Sequence, residues 1–189
     1  MNGRDLTGWK PFLSDANADP ASVWSVSNGV LVCSGKPAGY LATVAQYTSF
    51  ELELEWRFDP EKGDGNSGVL LRVQEPDKVW PLSVEAQLQS KNAGDIWNID
   101  GFPMKTDADR TKGRWTGKIK PTNEKPLGEW NKYHIVMAGT TLALIVNGEL
   151  QNRATDVRVV PGRIALQSEG AHIEFRNIRI RPLDGATRP

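Results

Sequence analysis

Glu85, Gln87 and Gln89 alternate with Val84, Ala86 and Leu88 in the run Ser83-Val-Glu-Ala-Gln-Leu-Gln89. On a strand, side chains two residues apart point the same way, so one face of this run is apolar and the other carries a carboxylate flanked by amides. Such a face suits hydroxyl and carbonyl groups, and a sugar-like ligand is the first chemistry to consider. Two other runs offer long polar side chains of matching parity. In Asn66-Ser-Gly-Val-Leu-Leu-Arg72, turning Val69, Leu71 and Val73 to a core leaves Leu70 and Arg72 outside. In Gly162-Arg-Ile-Ala-Leu-Gln167, turning Ile164 and Leu166 inward, with Ser168 beyond them, leaves Gln167 outside. If the three strands are neighbours in a concave sheet, Arg72, Glu85, Gln87 and Gln167 converge on one patch, with Glu55 and Arg57 as candidates for its border. Any one of these residues alone reads as a solvated position on an outer face, as Glu51 and Glu53 do; as a set they read as a site.

The residue types limit the reaction. Glycosidases of the direct kind place two carboxyls about the scissile bond, roughly 5 Å apart for retention and wider for inversion, whereas the neighbours of Glu85 are amides that neither attack nor donate a proton as an acid does. One carboxylate beside a cation fits another chemistry: a base that removes a proton next to a ketone while a cation holds the enolate oxygen. His134 and His172 sit in apolar-alternating runs without ligand spacing and read as surface or packing residues. Asp64-Gly-Asn66 and Asp107-Ala-Asp109 are weak calcium-like fragments of a kind common in turns. There is no phosphate loop, dinucleotide fingerprint or nucleophile motif. No metal site and no cofactor are expected from motifs; a divalent metal on the carboxylate and amide oxygens is the alternative electrophile to Arg72.

Alternation of period two dominates the rest of the chain. Phe50, Leu52, Leu54, Trp56 and Phe58 share one face of the clearest strand, and further strands are expected at 24–26, 30–34, 68–73, 83–89, 133–138, 142–146, 163–167 and 172–180. Asn28-Gly29 and Asn147-Gly148 are the dipeptides tight hairpins favour, because both central residues need positive φ. No helical period persists beyond a turn or two. Many short strands with turns between them give an all-β sandwich or jelly roll. Residues 91–129 are the exception, a long Gly-, Pro- and Asn-rich stretch carrying Trp97, Phe102, Met104 and Trp115. Aromatics in so long a connection argue against disorder, and it reads as a wall or lid. Residues 1–183 read as one domain and 184–189 as a frayed tail.

Bulk properties exclude several partners. Among 189 residues, 23 Lys and Arg balance 23 Asp and Glu, which gives no steering toward nucleic acid or an anionic membrane. No apolar run reaches the length of a membrane span. Seven Trp, against three Tyr and five Phe, supply both core filler and stacking surface for sugar rings. Cys33 is the single cysteine and reads as a packing residue.

Several segments in fixed order resemble the bacterial 3-keto-disaccharide hydrolase domain family: Asn2-Gly-Arg-Asp-Leu-Thr-Gly-Trp9, Asn66-Ser-Gly-Val69 with Arg72, Glu85-Ala-Gln87, Gly94-Asp-Ile-Trp97, Gly128-Glu-Trp-Asn131, Val146-Asn-Gly148, Gly162-Arg-Ile-Ala-Leu-Gln167 and Phe175-Arg-Asn-Ile178. The resemblance implies a concanavalin A-like jelly-roll sandwich of two antiparallel sheets, with the long loop over its concave face. It also implies cleavage of glycosides already oxidised at C3, in periplasmic or secreted proteins whose usual export signal is absent from this chain. A C3 ketone acidifies the C2 proton, so a base takes that proton, the C1 substituent leaves by elimination, and water adds afterward. The resemblance then makes Glu85 the base, Arg72 the group that holds the enolate oxygen, Asn66, Gln87 and Gln167 the hydroxyl contacts, and Trp97 a lid or stacking residue. It further implies an oligosaccharide or keto-sugar ligand and a functional link to a sugar 3-oxidoreductase. Trp9, Trp24, Trp56 and Trp130 are expected to fill or seal the core. The competing expectation is a non-catalytic carbohydrate-binding module, and a third is a protein-interaction domain, since fold alone separates none of them.

Overall fold

The computed structural model describes residues 1–183, so the tail expected at 184–189 lies outside the described residues. Two antiparallel sheets pack face to face. The first runs β1 (Trp9–Leu13), β4 (Gly39–Thr43), β14 (Arg163–Ser168), β6 (Gly68–Val73), β7 (Ser83–Gln87), β8 (Ile96–Ile99), β10 (Trp115–Thr116), β9 (Thr111–Lys112). The second runs β13 (Glu149–Ala154), β12 (Thr141–Val146), β11 (Asn131–Ala138), β5 (Phe50–Phe58), β15 (Ile173–Pro182), β3 (Val30–Cys33), β2 (Trp24–Ser27). Two single-turn 3-10 helices, Pro20–Ser22 and Ala108–Arg110, are the helical elements among the described residues.

The core lies between the sheets and follows from the alternation. Phe50, Leu52, Leu54, Trp56 and Phe58 of β5 meet Val69, Leu71, Val84, Ala86, Ile164 and Leu166 of the first sheet. Trp24 and Trp56 are buried as expected, while Trp130 lies on the outside between two cations, Arg57 at 4.6 Å and Arg176 at 4.1 Å from its ring. Asn28-Gly29 and Asn147-Gly148 both have two positive φ values and close the β2–β3 and β12–β13 hairpins. The outer face of the second sheet is a lattice of ion pairs: Glu55 with Arg176, Glu53 with Lys132, Arg57 with Glu174. Glu55 and Arg57 therefore border no patch on the first sheet; they sit on the opposite outer face.

Residues 91–129 are not a loop laid over a sheet. They contribute β8, β9 and β10, which extend the first sheet at one edge. Asp95 organises this extension: its buried carboxylate accepts from Trp115 Nε1 at 2.7 Å and from the Lys118 amide at 2.8 Å. Of the aromatics in this stretch, Trp97 and Trp115 sit on the paired strands β8 and β10, whereas Phe102 is buried in the core.

Candidate active site

The outer face of the first sheet carries the polar cluster. Ladder register aligns Ala165, Leu70, Glu85 and Trp97 in one row across β14, β6, β7 and β8, and Gly68 with Gln87 in the next. Residues opposite one another in an antiparallel ladder share a face. Val84 and Ala86 point into the core, so Glu85 and Gln87 point out, as the alternation requires.

Gly68 explains how Glu85 and Gln167 meet. A Cβ placed on Gly68 would lie 2.5 Å from Glu85 Oε1 and 2.3 Å from Gln167 Oε1. The carboxyl of β7 and the amide of β14 thus approach each other across the bare backbone of the strand between them. Both are buried, Glu85 at 4% exposure and Gln167 at 2%, and Gln167 Oε1 has no hydrogen-bond partner within the protein. Burial pushes the Glu85 carboxyl up from 4.5 to about 8; the neighbouring charge of Glu169 adds to the rise, and hydrogen bonding from Gln167 offsets part of it. Gly68→Ala should leave the fold intact, because the added methyl meets only the ends of flexible side chains, yet push the two groups apart. We expect a circular dichroism spectrum like the wild type and a rate on substrate about 100-fold lower, the scale that misplacement by an ångström brings. An unchanged rate would show that the close approach is unimportant.

Glu169 was missed in the sequence. It follows Gln167 by two residues, a parity that points it to the same side, and it lines a small cleft with Ala38, Gly39, Val79, Trp80 and Gln167. Its carboxyl is also pushed up by burial, with hydrogen bonding from Trp80 acting the other way. Trp80 arrives through the connection between β6 and β7, which folds back over an apolar cluster of Phe12, Tyr40, Ala42, Leu70, Val73 and Ala165 on the outer face. That connection is pinned at Asp77, which accepts from Tyr40 Oη at 2.6 Å and pairs with Arg163. Trp80 is left 52% exposed. On the opposite side of Glu85, Trp97 is its direct ladder partner and Trp115 is the next along the row. Glu85 thus has Trp97 on one side along its row and, on the other, Gln167, which also lines the cleft of Trp80 and Glu169; exposed indoles of this kind can stack the apolar faces of pyranose rings.

Other expected residues have different duties. Gln87 Oε1 accepts from the amides of Leu88 at 2.8 Å and Gln89 at 2.9 Å, so its acceptor ends the strand. Asn66 enters β6 beside the cluster, and its Oδ1 is a buried acceptor without a protein partner. Its successor Ser67 donates to the Gln167 carbonyl at 2.9 Å and accepts the Leu88 amide through its own carbonyl, which fixes Asn66 between β7 and β14.

Arg72 is not on this face, contrary to expectation. The β6–β14 ladder shifts register opposite it, and its φ of 51° breaks the alternation. Val73 instead joins Leu70 on the outer face. The fully buried Arg72 guanidinium donates to the carbonyls of Thr48, Gly139 and Arg158, tying β6 to the turns at one end of the second sheet. It cannot serve Glu85 as an electrophile from there.

A family profile described as 3-keto-alpha-glucoside-1,2-lyase-like domain matches residues 1–181. The chain belongs to that family. It is similar to a 3-keto-disaccharide hydrolase of Bacteroides thetaiotaomicron, at 26% identity over 97% of this chain and 77% of the relative. A solved structure from Parabacteroides distasonis, provisionally described as a glycosyl hydrolase, superposes with a TM-score of 0.71 at 25% identity, over 97% of this chain and 92% of the other. A carbohydrate-binding module of Bacillus subtilis superposes with a TM-score of 0.64 at 11% identity, over 92% of this chain and 95% of the other, a likeness of fold alone. The two antiparallel sheets of this chain form the jelly-roll sandwich expected from its sequence.

Proposed function

We propose that this chain cleaves 3-keto-glycosides by removing the C2 proton with Glu85, expelling the C1 substituent, and adding water to the resulting enone. Kinship with the 3-keto-disaccharide hydrolase supports the substrate class. The observation that carries the mechanism is the buried Glu85 with a carboxyl raised to about 8. An ordinary carboxylate is a poor base toward carbon, and one destabilised by burial is a stronger base once ionised. The C3 ketone takes the electrons of the C2–H bond as an enolate, and the C1–O bond breaks as the enolate collapses. With Arg72 committed elsewhere, the amides of Gln167 and Gln87 are the groups positioned to meet sugar oxygens on this face. The unpartnered Gln167 Oε1 and Asn66 Oδ1 are acceptors for hydroxyls.

The second reading is a binding module without turnover, favoured by the aromatic flanks and by the shared fold of the Bacillus subtilis module. Incubation with 3-keto-trehalose beside trehalose separates the two. We expect release of free sugar from the keto form only; failure to cleave either, with and without added divalent cation, would favour the module.

A further inference from the structure

Resting on the reaction just described, we propose that Glu169 is a second catalytic residue: it gives its proton to the departing glycosidic oxygen and afterwards takes one from the water that adds to C1. Glu85 stands on β7 and Glu169 immediately after β14, and Gln167 links them: its Oε1 meets Glu85 Oε1 across Gly68, and it lines the same cleft as Glu169. Glu169 is nearer the rim than Glu85 and touches the exposed Trp80, the surface on which a leaving group can rest. The fold invests in this placement. Asp77, held by Tyr40 and Arg163, anchors the connection that delivers Trp80 to Glu169.

The chemistry needs such a group. Expulsion of an alkoxide from C1 is unfavourable unless the oxygen is protonated as the bond breaks, and amides do not donate protons as acids do. The balance closes within the pair. Glu85 as carboxylate takes the C2 proton, Glu169 as acid supplies the proton of the departing alcohol, and the sugar is left as a 1,2-unsaturated 3-ketone. Water then adds its oxygen to C1, losing a proton to the Glu169 carboxylate, and Glu85 returns its proton to C2. Both groups end as they began, and the sum is hydrolysis.

The test is a series of 3-keto-glucosides whose aglycones run from p-nitrophenol to methanol. Wild type should show little dependence on the aglycone. In a single turnover, Glu169→Gln should keep the release of nitrophenol within about threefold, since that group departs without help, and lose about 100-fold or more in release from the methyl compound, while the hydration that follows slows alike on both. Glu85→Gln should lose both. Equal losses on the two aglycones, or none, with Glu169→Gln would overturn the proposal, because a merely structural residue does not discriminate between leaving groups. Should that variant fold poorly, Glu169→Ala with added formate is the second arm: recovery of methyl-glucoside cleavage supports the proposal and absence of recovery counts against it. If wild type cleaves no member of the series, the underlying reaction is wrong and this role falls with it; cleavage with an unselective loss removes the role alone.

Discussion

Glu85→Gln should abolish turnover while making the protein more stable in mild alkali. The rate is expected to fall by about a thousandfold or more, because the substitution removes the base and leaves the shape, and sugar binding should persist. The stability effect follows from the raised carboxyl. Below pH 4.5 both folded and unfolded chains hold the proton, and Glu85 contributes no pH dependence. Between 4.5 and about 8 the unfolded chain loses the proton while the folded chain keeps it, so stability falls as pH rises and levels off above about 8. The full cost of burying the ionisable group is on the order of a few kcal/mol. Gln carries no such cost. Thermal melts should therefore show a higher midpoint for Glu85→Gln than for wild type at pH 8.5 and nearly equal midpoints at pH 4. Loss of activity with no alkaline gain would mean that Glu85 is not held neutral in the folded protein.

Arg72→Ala should do the reverse, with heavy loss of stability and little change in the chemistry of the molecules that remain folded. Truncation strands the carbonyls of Thr48, Gly139 and Arg158 in a buried site and opens a cavity where a large side chain was. A cost of about 4 kcal/mol or more is expected from such losses, which is on the order of 10 °C in melting temperature for a chain of this size. Activity per folded molecule should stay within about tenfold of wild type. A stable Arg72→Ala protein with a thousandfold lower rate would return Arg72 to the reaction.

The contrast between these two residues shows what the sequence can and cannot reveal. Parity placed Glu85, Gln87 and Gln167 correctly because β7 and β14 keep strict alternation, with Val84, Ala86, Ile164 and Leu166 as the inward set. The same argument failed at Arg72 because a register shift and a positive φ reverse the facing of one residue, and nothing in Leu-Leu-Arg-Val announces it. Strand β4 was missed for a related reason. Gly39–Thr43 is buried throughout, one side against the core and the other under the β6–β7 connection, so it shows no alternation to read. In β1, Pro11 broke the pattern, which an edge strand tolerates. Glu169 was legible in principle from its two-residue offset to Gln167. Its link to Trp80 was not, since that depends on the Asp77 anchor across a long separation in sequence. Gly68 reads in the sequence only as the first residue of a strand, and only the fold shows that its missing side chain is the space in which Glu85 and Gln167 meet.

The most direct test of the account is cleavage of a 3-keto-disaccharide in deuterated water, with the released 3-keto-sugar followed by NMR at early times beside the same sugar incubated without protein. Proton removal by Glu85 predicts slower cleavage of the C2-deuterated substrate, and deuterium at C2 of the enzymatic product in advance of the background wherever the carboxyl exchanges with solvent before it returns its proton. Retention of the C2 hydrogen together with an unchanged rate on the C2-deuterated substrate would contradict the elimination and point instead to direct displacement at C1.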